Sequence, residues 1–99
     1  MSIARVEVVL PGVLAEDAGG RRSLFLEVPA GPGARLGQVL DQLAAGYPLL
    51  GRRIRDETGT VRPHVNLFVD GDHIRDHGEL QMPVRDGATV LVLPNVSGG

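Results

Sequence analysis

The stretch that decides the fold is TVLVLP at residues 89–94, which leads directly into NVSGG at residues 95–99. Alternating β-branched residues and leucines are typical of a β-strand. NVSGG has no apolar period and ends in two adjacent glycines, which carry no Cβ and accept backbone conformations closed to other residues. We therefore predict a globular domain over residues 1–94, whose last strand delivers a flexible diglycine tail over residues 95–99.

The diglycine tail has two interpretations. A carboxylate on Gly99 is a poor electrophile, but once an enzyme converts it into an acyl adenylate, a persulfide, thiol or amine can attack its carbonyl carbon. Gly98 would help the chain to thread a narrow channel in such an enzyme, and five extended residues reach roughly 17 Å at about 3.3–3.6 Å per residue. The other interpretation is an ordinary disordered chain end, in which glycine is common.

Composition narrows the class of protein. A chain of 99 residues has room for one small domain. Its ten basic residues, all arginine, face twelve acidic ones, so the chain lacks the basic excess of a nucleic-acid surface or a polybasic membrane anchor. The absence of cysteine excludes disulfides and thiolate chemistry. No run approaches the ~20 apolar residues of a membrane span, and the start does not resemble a signal peptide, so we expect a cytoplasmic protein without nucleic-acid or membrane partners.

The first half of the chain predicts two strands and a helix. Residues 3–10 and 23–28 alternate as strands and are joined by a turn at residues 17–20, which predicts an antiparallel hairpin. A helix is predicted from apolar residues at positions i, i+3, i+4 and i+7, namely Leu36, Val39, Leu40 and Leu43. It should end at residues 46–48, and its start lacks a capping Ser, Thr, Asp or Asn at residues 34–35.

The second half predicts a connection followed by strands. Residues 49–64 are charged and punctuated by glycine, which indicates a long connection with at most a turn of helix. Residues 65–69 alternate as a strand, and Asp70-Gly71 is a strong hairpin dipeptide before a short edge strand at residues 73–75. The order of strand, strand, helix, strand, short strand and strand predicts an α+β protein of the β-grasp type, with a mixed sheet packed on one main helix.

Three segments carry a family resemblance. They are VNLFVDGD at residues 65–72, VRDGATV at residues 84–90 and LPNVSGG at residues 93–99. They resemble, in that order, the central strand with its hairpin turn, the turn before the last strand and the diglycine tail of the ubiquitin-like sulfur-carrier family that includes MoaD, ThiS and CysO. The resemblance runs over nearly the whole chain and favours the chemical interpretation of the tail.

The resemblance implies a protein co-substrate and not an enzyme. A MoeB/ThiF-like adenylyltransferase would use ATP to activate Gly99, and a sulfur donor would convert the adenylate into a thiocarboxylate. A sulfur-accepting synthase would then take the sulfur for cysteine, molybdopterin or another sulfur-containing metabolite. The carrier would bind no cofactor itself, and it would be a monomer when free. Two alternatives remain: a ubiquitin-like modifier conjugated through Gly99, and a β-grasp interaction module whose tail does no chemistry.

Alternation also predicts a surface for partners. If the odd residues of strand 65–69 face the helix, Phe68 lies on the opposite face of the sheet, where Leu91 and Leu93 of the last strand join it. We predict that Phe68, Leu91, Leu93 and the nearby Val96 bind partner proteins. The alternatives are that residues 49–64 cover these side chains, or that the register is shifted by one residue and they form the core.

The histidines do not predict a metal site. His73 and His77 are four residues apart, a spacing that brings two imidazoles together only on a helix, whereas the surrounding Asp70-Gly71 and Gly78 indicate a hairpin and a loop. Nearby acidic residues lack the spacing of a calcium loop. We therefore expect no bound metal.

Overall fold

The computed structural model describes residues 2–94, so the predictions for the tail at residues 95–99, and for Val96, Gly98 and Gly99 within it, lie outside the described residues. The strands are β1 (Ile3–Val9), β2 (Ser23–Pro29), β3 (Ala34–Arg35), β4 (Val65–Val69), β5 (Asp72–His73), β6 (Pro83–Val84) and β7 (Thr89–Pro94). The helices are α1 (Gly12–Ala15), α2 (Leu36–Gly46) and α3 (Pro48–Ile54).

Five of the strands form one mixed sheet in the order β2-β1-β7-β4-β5. β1 pairs antiparallel with β2, as predicted, and parallel with β7. β7 in turn pairs antiparallel with β4. The last strand therefore lies at the centre of the sheet between the two hairpins, while β3 and β6 form a separate two-stranded sheet.

The core lies between this sheet and α2. The four residues of the predicted apolar stripe, Leu36, Val39, Leu40 and Leu43, are all buried, which confirms the helix and its orientation. The N-cap residue Arg35 has no capping side chain, but its own backbone N–H donates to Oε1 of Gln38 at 2.8 Å, which is the reciprocal contact of a capping box. The helix ends as predicted, where Tyr47 precedes Pro48.

The prediction that residues 49–64 are mostly a connection is wrong for their first part. Pro48 begins a further helix, α3, in which Leu50 and Ile54 are fully buried. These two residues stand at i and i+4, a stripe too short to be recognised among arginines and glycine. The rest of the segment is a turn closed by a bridge between Arg55 and Val61.

The carboxylate of Asp56 organises that turn. It accepts the backbone N–H groups of Thr58 and Thr60 at 2.9 and 3.1 Å, and also the Thr58 hydroxyl. The hydroxyl hydrogen bond from Thr58 is the largest cause of a lowered pKa at Asp56. The turn is thus ordered by local hydrogen bonds rather than by burial.

Two shorter predictions also need correction. The connection between β1 and β2 is not a simple turn at residues 17–20, because α1 and a 3₁₀ turn at Glu16–Ala18 bury Leu14, Ala15 and Ala18. The edge strand predicted at residues 73–75 is only β5, since the chain turns into a 3₁₀ segment that buries Ile74. Within residues 2–94, no helix is long and apolar enough to cross a membrane.

Candidate functional site

A row of outward-facing residues crosses the sheet close to where β7 ends. Leu91 of β7 pairs with Val9 of β1 on one side and with Phe68 of β4 on the other. Phe68 pairs in turn with His73 of β5. Directly paired residues of adjacent strands project on the same face, so these side chains are neighbours across four strands.

The burial of the alternate residues establishes which face this is. Val90 and Val92 of β7, like Leu67 of β4, are completely buried against α2. Phe68 and Leu91 are half-buried, and Leu93 is 40% exposed. The alternative in which Phe68, Leu91 and Leu93 belong to the core is therefore wrong, and their predicted position on the outer face is confirmed.

The connection after α2 does not account for the partial burial of this face. α3 packs against α2 on the other side of the sheet and directs its apolar side chains into the core. We define the docking face as Val9, Phe68, Leu91 and Leu93. Val9 was not among the predicted partner-binding residues, since its place depends on the parallel pairing of β1 with β7, for which the sequence carries no signal.

His73 shapes the docking face from its rim. Its ring meets that of Phe68 edge-on, with centroids 4.9 Å apart and planes inclined by 78°. Nδ1 accepts the backbone N–H of Arg75 at 3.1 Å, which leaves the proton on Nε2 to be donated to Oδ1 of Asn66 at 3.0 Å. Asn66 pairs with Leu93 across the strands. His73 thus contacts Phe68 through its ring and Asn66, the neighbour of Leu93, through a hydrogen bond.

These contacts give both histidines a structural role. His77 donates from Nδ1 to the carbonyl of His73 at 3.1 Å, and both ring nitrogens of His73 are engaged in hydrogen bonds. In the part of the chain that the structure describes, no three His, Cys, Asp or Glu residues are grouped in a way that could hold a metal ion.

Two acidic turns fix β7 in place. Asp70, with φ of 49°, precedes Gly71, with φ of 90°, as a two-residue hairpin of the primed type requires. Oδ1 of Asp70 accepts the backbone N–H of Thr89 at 2.9 Å, at the start of β7. In the turn before β7, Oδ1 of Asp86 accepts the backbone N–H of Arg5 at 2.8 Å. Both hairpins are therefore tied to the central strand that carries half of the docking face.

Comparison with known proteins identifies relatives along the whole chain. The model of the ThiS family matches residues 8–99. The chain is 32% identical over 96 residues to the sulfur carrier protein CysO of Mycobacterium tuberculosis, covering 95% of this chain and 98% of that protein. It is 37% identical over 81 residues to small archaeal modifier protein 3 of Haloferax volcanii, covering 81% of this chain and 84% of that protein.

Solved structures agree with these matches. The crystal structure of the M. tuberculosis CysO has a TM-score of 0.76 at 33% identity, with 92% of this chain and 99% of that chain covered. A chain of the Amycolatopsis orientalis BexX/CysO complex has a TM-score of 0.74 at 29% identity, with coverages of 95% and 99%. The predicted α+β, ubiquitin-like β-grasp fold is confirmed, and these relatives support a role as a sulfur carrier or a ubiquitin-like protein.

Proposed function

Because the chain belongs to the ThiS family, we propose that it is a sulfur carrier that is loaded on its terminal glycine. The Gly99 carboxylate attacks the α-phosphorus of ATP in an adenylyltransferase and releases pyrophosphate. A sulfide equivalent from a donor then displaces AMP from the acyl adenylate and leaves a thiocarboxylate. A synthase accepts that sulfur, and water attacks the Gly99 carbonyl carbon and supplies the oxygen that restores the carboxylate. The carrier contributes no catalytic group.

The observation that carries this proposal is the continuity of β7 with the tail. Its residues alternate between the core and the docking face, and it is held by pairing with β4 as far as Pro94, which pairs with Val65. The five residues after Pro94 can span roughly 17 Å at about 3.3–3.6 Å per residue. A partner that binds Leu91 and Leu93 is therefore placed within one tail length of the Gly99 carboxylate.

The docking face has the chemistry of a transient protein interface. Its four apolar side chains keep part of their surface in solvent and are rimmed by polar Asn66, His73 and Thr89. Burial of apolar area contributes about 25 cal/mol per Å², and truncation of one central anchor commonly costs more than ~1 kcal/mol of binding. Interfaces of this kind suit a carrier that must leave one enzyme for the next.

The relatives suggest the partners. The A. orientalis structure is described as a complex of BexX with CysO, which supports protein partners for this chain. By the resemblance, the first partner is a MoeB/ThiF-like adenylyltransferase and the second a sulfur-accepting synthase. Both must receive the same tail, so we propose that both contact the docking face, in turn.

A second candidate function keeps the activation step. The similarity to small archaeal modifier protein 3 favours transfer of the Gly99 acyl group to an amine of another protein. The two functions differ in their product, because a carrier gains only the mass of sulfur in place of oxygen, whereas a modifier appears in a larger covalent conjugate.

The deciding experiment is the intact mass of the protein after incubation with ATP, a sulfide source and the adenylyltransferase of its own host. We expect the exchange of one oxygen for sulfur, located on Gly99 by fragmentation and absent from a variant without Gly98 and Gly99. If an enzyme of demonstrated activity gives neither adenylate nor mass change, the carrier function is refuted. Conjugates with other proteins in host extract would instead establish the modifier.

A matched pair of variants tests the docking face. Leu93→Asp places a charge on this face, while Leu49→Asp changes a side chain that is 56% exposed on α3, on the other side of the sheet. We expect Leu93→Asp to raise the KM for carrier in ATP–pyrophosphate exchange by at least about tenfold, equivalent to about 1.4 kcal/mol. Equal rates for both variants would show that the activating enzyme does not use this face.

A further inference from the structure

β2 forms a long and regular edge of the five-stranded sheet. β1 pairs with one side of it, and among residues 2–94 no strand pairs with the other. The register with β1 runs without a bulge from Val9–Ser23 to Ile3–Pro29, and proline occurs in β2 only at its last residue. The opposite edge, β5, is two residues long. An edge without bulge, internal proline or inward charge is a template for another strand.

The hydrogen bonds between β2 and β1 show which backbone N–H and C=O groups of β2 are not used in that pairing. Leu10 donates its N–H to the carbonyl of Arg22 at 2.8 Å, and Ala30 donates to the carbonyl of Ser2 at 2.9 Å. Pairing in an antiparallel ladder alternates, so the even-numbered residues of β2 bond to β1. The N–H and C=O groups of Ser23, Phe25 and Glu27 therefore point out of the sheet.

The side chains of these three residues are also accessible. All three project on the outer face and are exposed, and Phe25 at the centre is 67% exposed. Phe25 lies two strands away from β7 and is not part of the docking face. An aromatic side chain left in solvent at the midpoint of an open edge is an anchor for a neighbouring strand.

The charges along β2 decide what kind of strand fits. Arg21 and Arg22 precede the strand, and Glu27 lies near its end, where its Oε2 is 3.4 Å from Nη2 of Arg5 on β1 in an exposed ion pair that leaves Oε1 for a second cation. Two copies aligned in parallel would place like charges together, whereas an antiparallel arrangement brings the cationic start of each strand beside the carboxylate of the other. The charges of one β2 strand are thus complementary to those of a second β2 strand that runs in the opposite direction, as a two-fold symmetric contact requires.

We propose that β2 pairs antiparallel with β2 of a second copy of this chain, about a two-fold axis at Phe25. In this register the two Phe25 rings are direct neighbours and Ser23 of each copy lies opposite Glu27 of the other. Arg21 then stands diagonally across from the same Glu27, within reach of its carboxylate. The result is a continuous ten-stranded sheet, and this inference replaces the expectation of a free monomer.

The pairing leaves the proposed carrier function intact. β1 separates β2 from β7, and the new strand extends the sheet in its own plane without covering the docking face. The two-fold axis reverses the strand direction, so the two β7 strands run in opposite directions. Each copy can therefore present its docking face to a separate enzyme. The inference does not depend on the chemistry of the tail.

Sedimentation of the purified full chain tests self-association. We expect the natural chain to form a dimer whose fraction rises with protein concentration between about 10 µM and about 1 mM. Phe25→Lys should raise the dimer Kd at least about tenfold, a loss of about 1.4 kcal/mol of association free energy. Val13→Lys, an equally exposed position on α1, should behave as the natural chain. A monomer throughout this range would overturn the proposal and leave β2 available to a strand of some other protein. A dimer whose Kd is unaffected by Phe25→Lys would also overturn it.

Disulfide formation tests the register, because the chain contains no cysteine of its own. Opposed residues of this kind have Cα atoms about 5.5 Å apart, which suits a disulfide. Mixed Ser23→Cys and Glu27→Cys proteins should therefore crosslink at least about tenfold faster than either alone. Arg5→Cys, one strand further in, should not crosslink with either. Equal rates in the mixture and in the separate proteins would refute this register.

Discussion

Gly51 shows how one absent side chain sets the spacing of two helices. A Cβ at this position would lie 2.6 Å from the Cβ of Ala44 and 2.9 Å from its Cα. The close crossing of α2 and α3 therefore depends on glycine in α3 and on a small residue in α2. The sequence shows Gly51 only as one more glycine in a charged segment, so its role becomes visible only when α2 is beside it.

The first prediction concerns this contact. Gly51→Ala should lower the free energy of unfolding by about 1–3 kcal/mol, because the added methyl group forces the helices apart. Gly46→Ala is the control, since no atom lies within 4 Å of a Cβ there, and it should be neutral or stabilising by up to about 1 kcal/mol. Urea denaturation measures both. A Gly51→Ala protein as stable as the natural chain would contradict the close packing.

At the scale of elements, α3 is the part of the fold that periodicity fails to reveal. It is seven residues long and directly follows α2, with Tyr47 between them. Leu49 and Leu50 are adjacent in sequence, yet Leu50 is completely buried and Leu49 is 56% exposed. A helix of two turns gives too few apolar positions to establish a period, and only the surface of α2 selects which leucine is buried.

The second prediction separates these two leucines. Leu50→Ala should lower the free energy of unfolding by about 2–5 kcal/mol through lost burial and a residual cavity. Leu49→Ala removes the same atoms from the surface and should stay within about 0.5 kcal/mol of the natural chain. Thermal or urea unfolding measures both. Comparable losses for the two variants would mean that α3 does not pack as described.

At the scale of the whole molecule, β4 and β7 contribute to stability with one face and to partner binding with the other. Their inward residues are buried in the core between the sheet and α2, while Phe68, Leu91 and Leu93 on their outward side belong to the docking face. Leu67 and Leu93 are the same residue type on opposite faces, buried and 40% exposed respectively. Folding and partner binding therefore depend on alternate residues of the same two strands, so that a substitution can change one without changing the other.

The third prediction follows from that division. Leu67→Ala should cost about 2–5 kcal/mol of unfolding free energy. Leu93→Ala should leave stability within about 0.5 kcal/mol and should still raise the KM for the carrier in adenylation. Denaturation curves and ATP–pyrophosphate exchange on the same preparations distinguish the two. Loss of stability with Leu93→Ala would place that residue in the core and remove it from the docking face.

Much of this architecture could be predicted because its signals are local. The stripe at Leu36, Val39, Leu40 and Leu43, the alternation around Leu67 and the Asp70-Gly71 turn each specify a conformation within a few residues. Alternation placed Phe68, Leu91 and Leu93 on one common face, and the burial of Leu67, Val90 and Val92 showed that it is the outer one. Val9 did not, because its membership of the docking face requires a contact between residues some eighty positions apart.

The sequence by itself determined the elements with a strong period, which residues of a strand share a face and, through its resemblance to sulfur carriers, the family. These properties depend on backbone geometry and side-chain spacing, which act over one or two turns or along one strand. The tertiary structure decided that β7 lies parallel to β1, that α3 is a helix and that β2 is an open edge. Each of these is a choice of partner between distant segments, and its free energy comes from surface that is buried only when both segments are present.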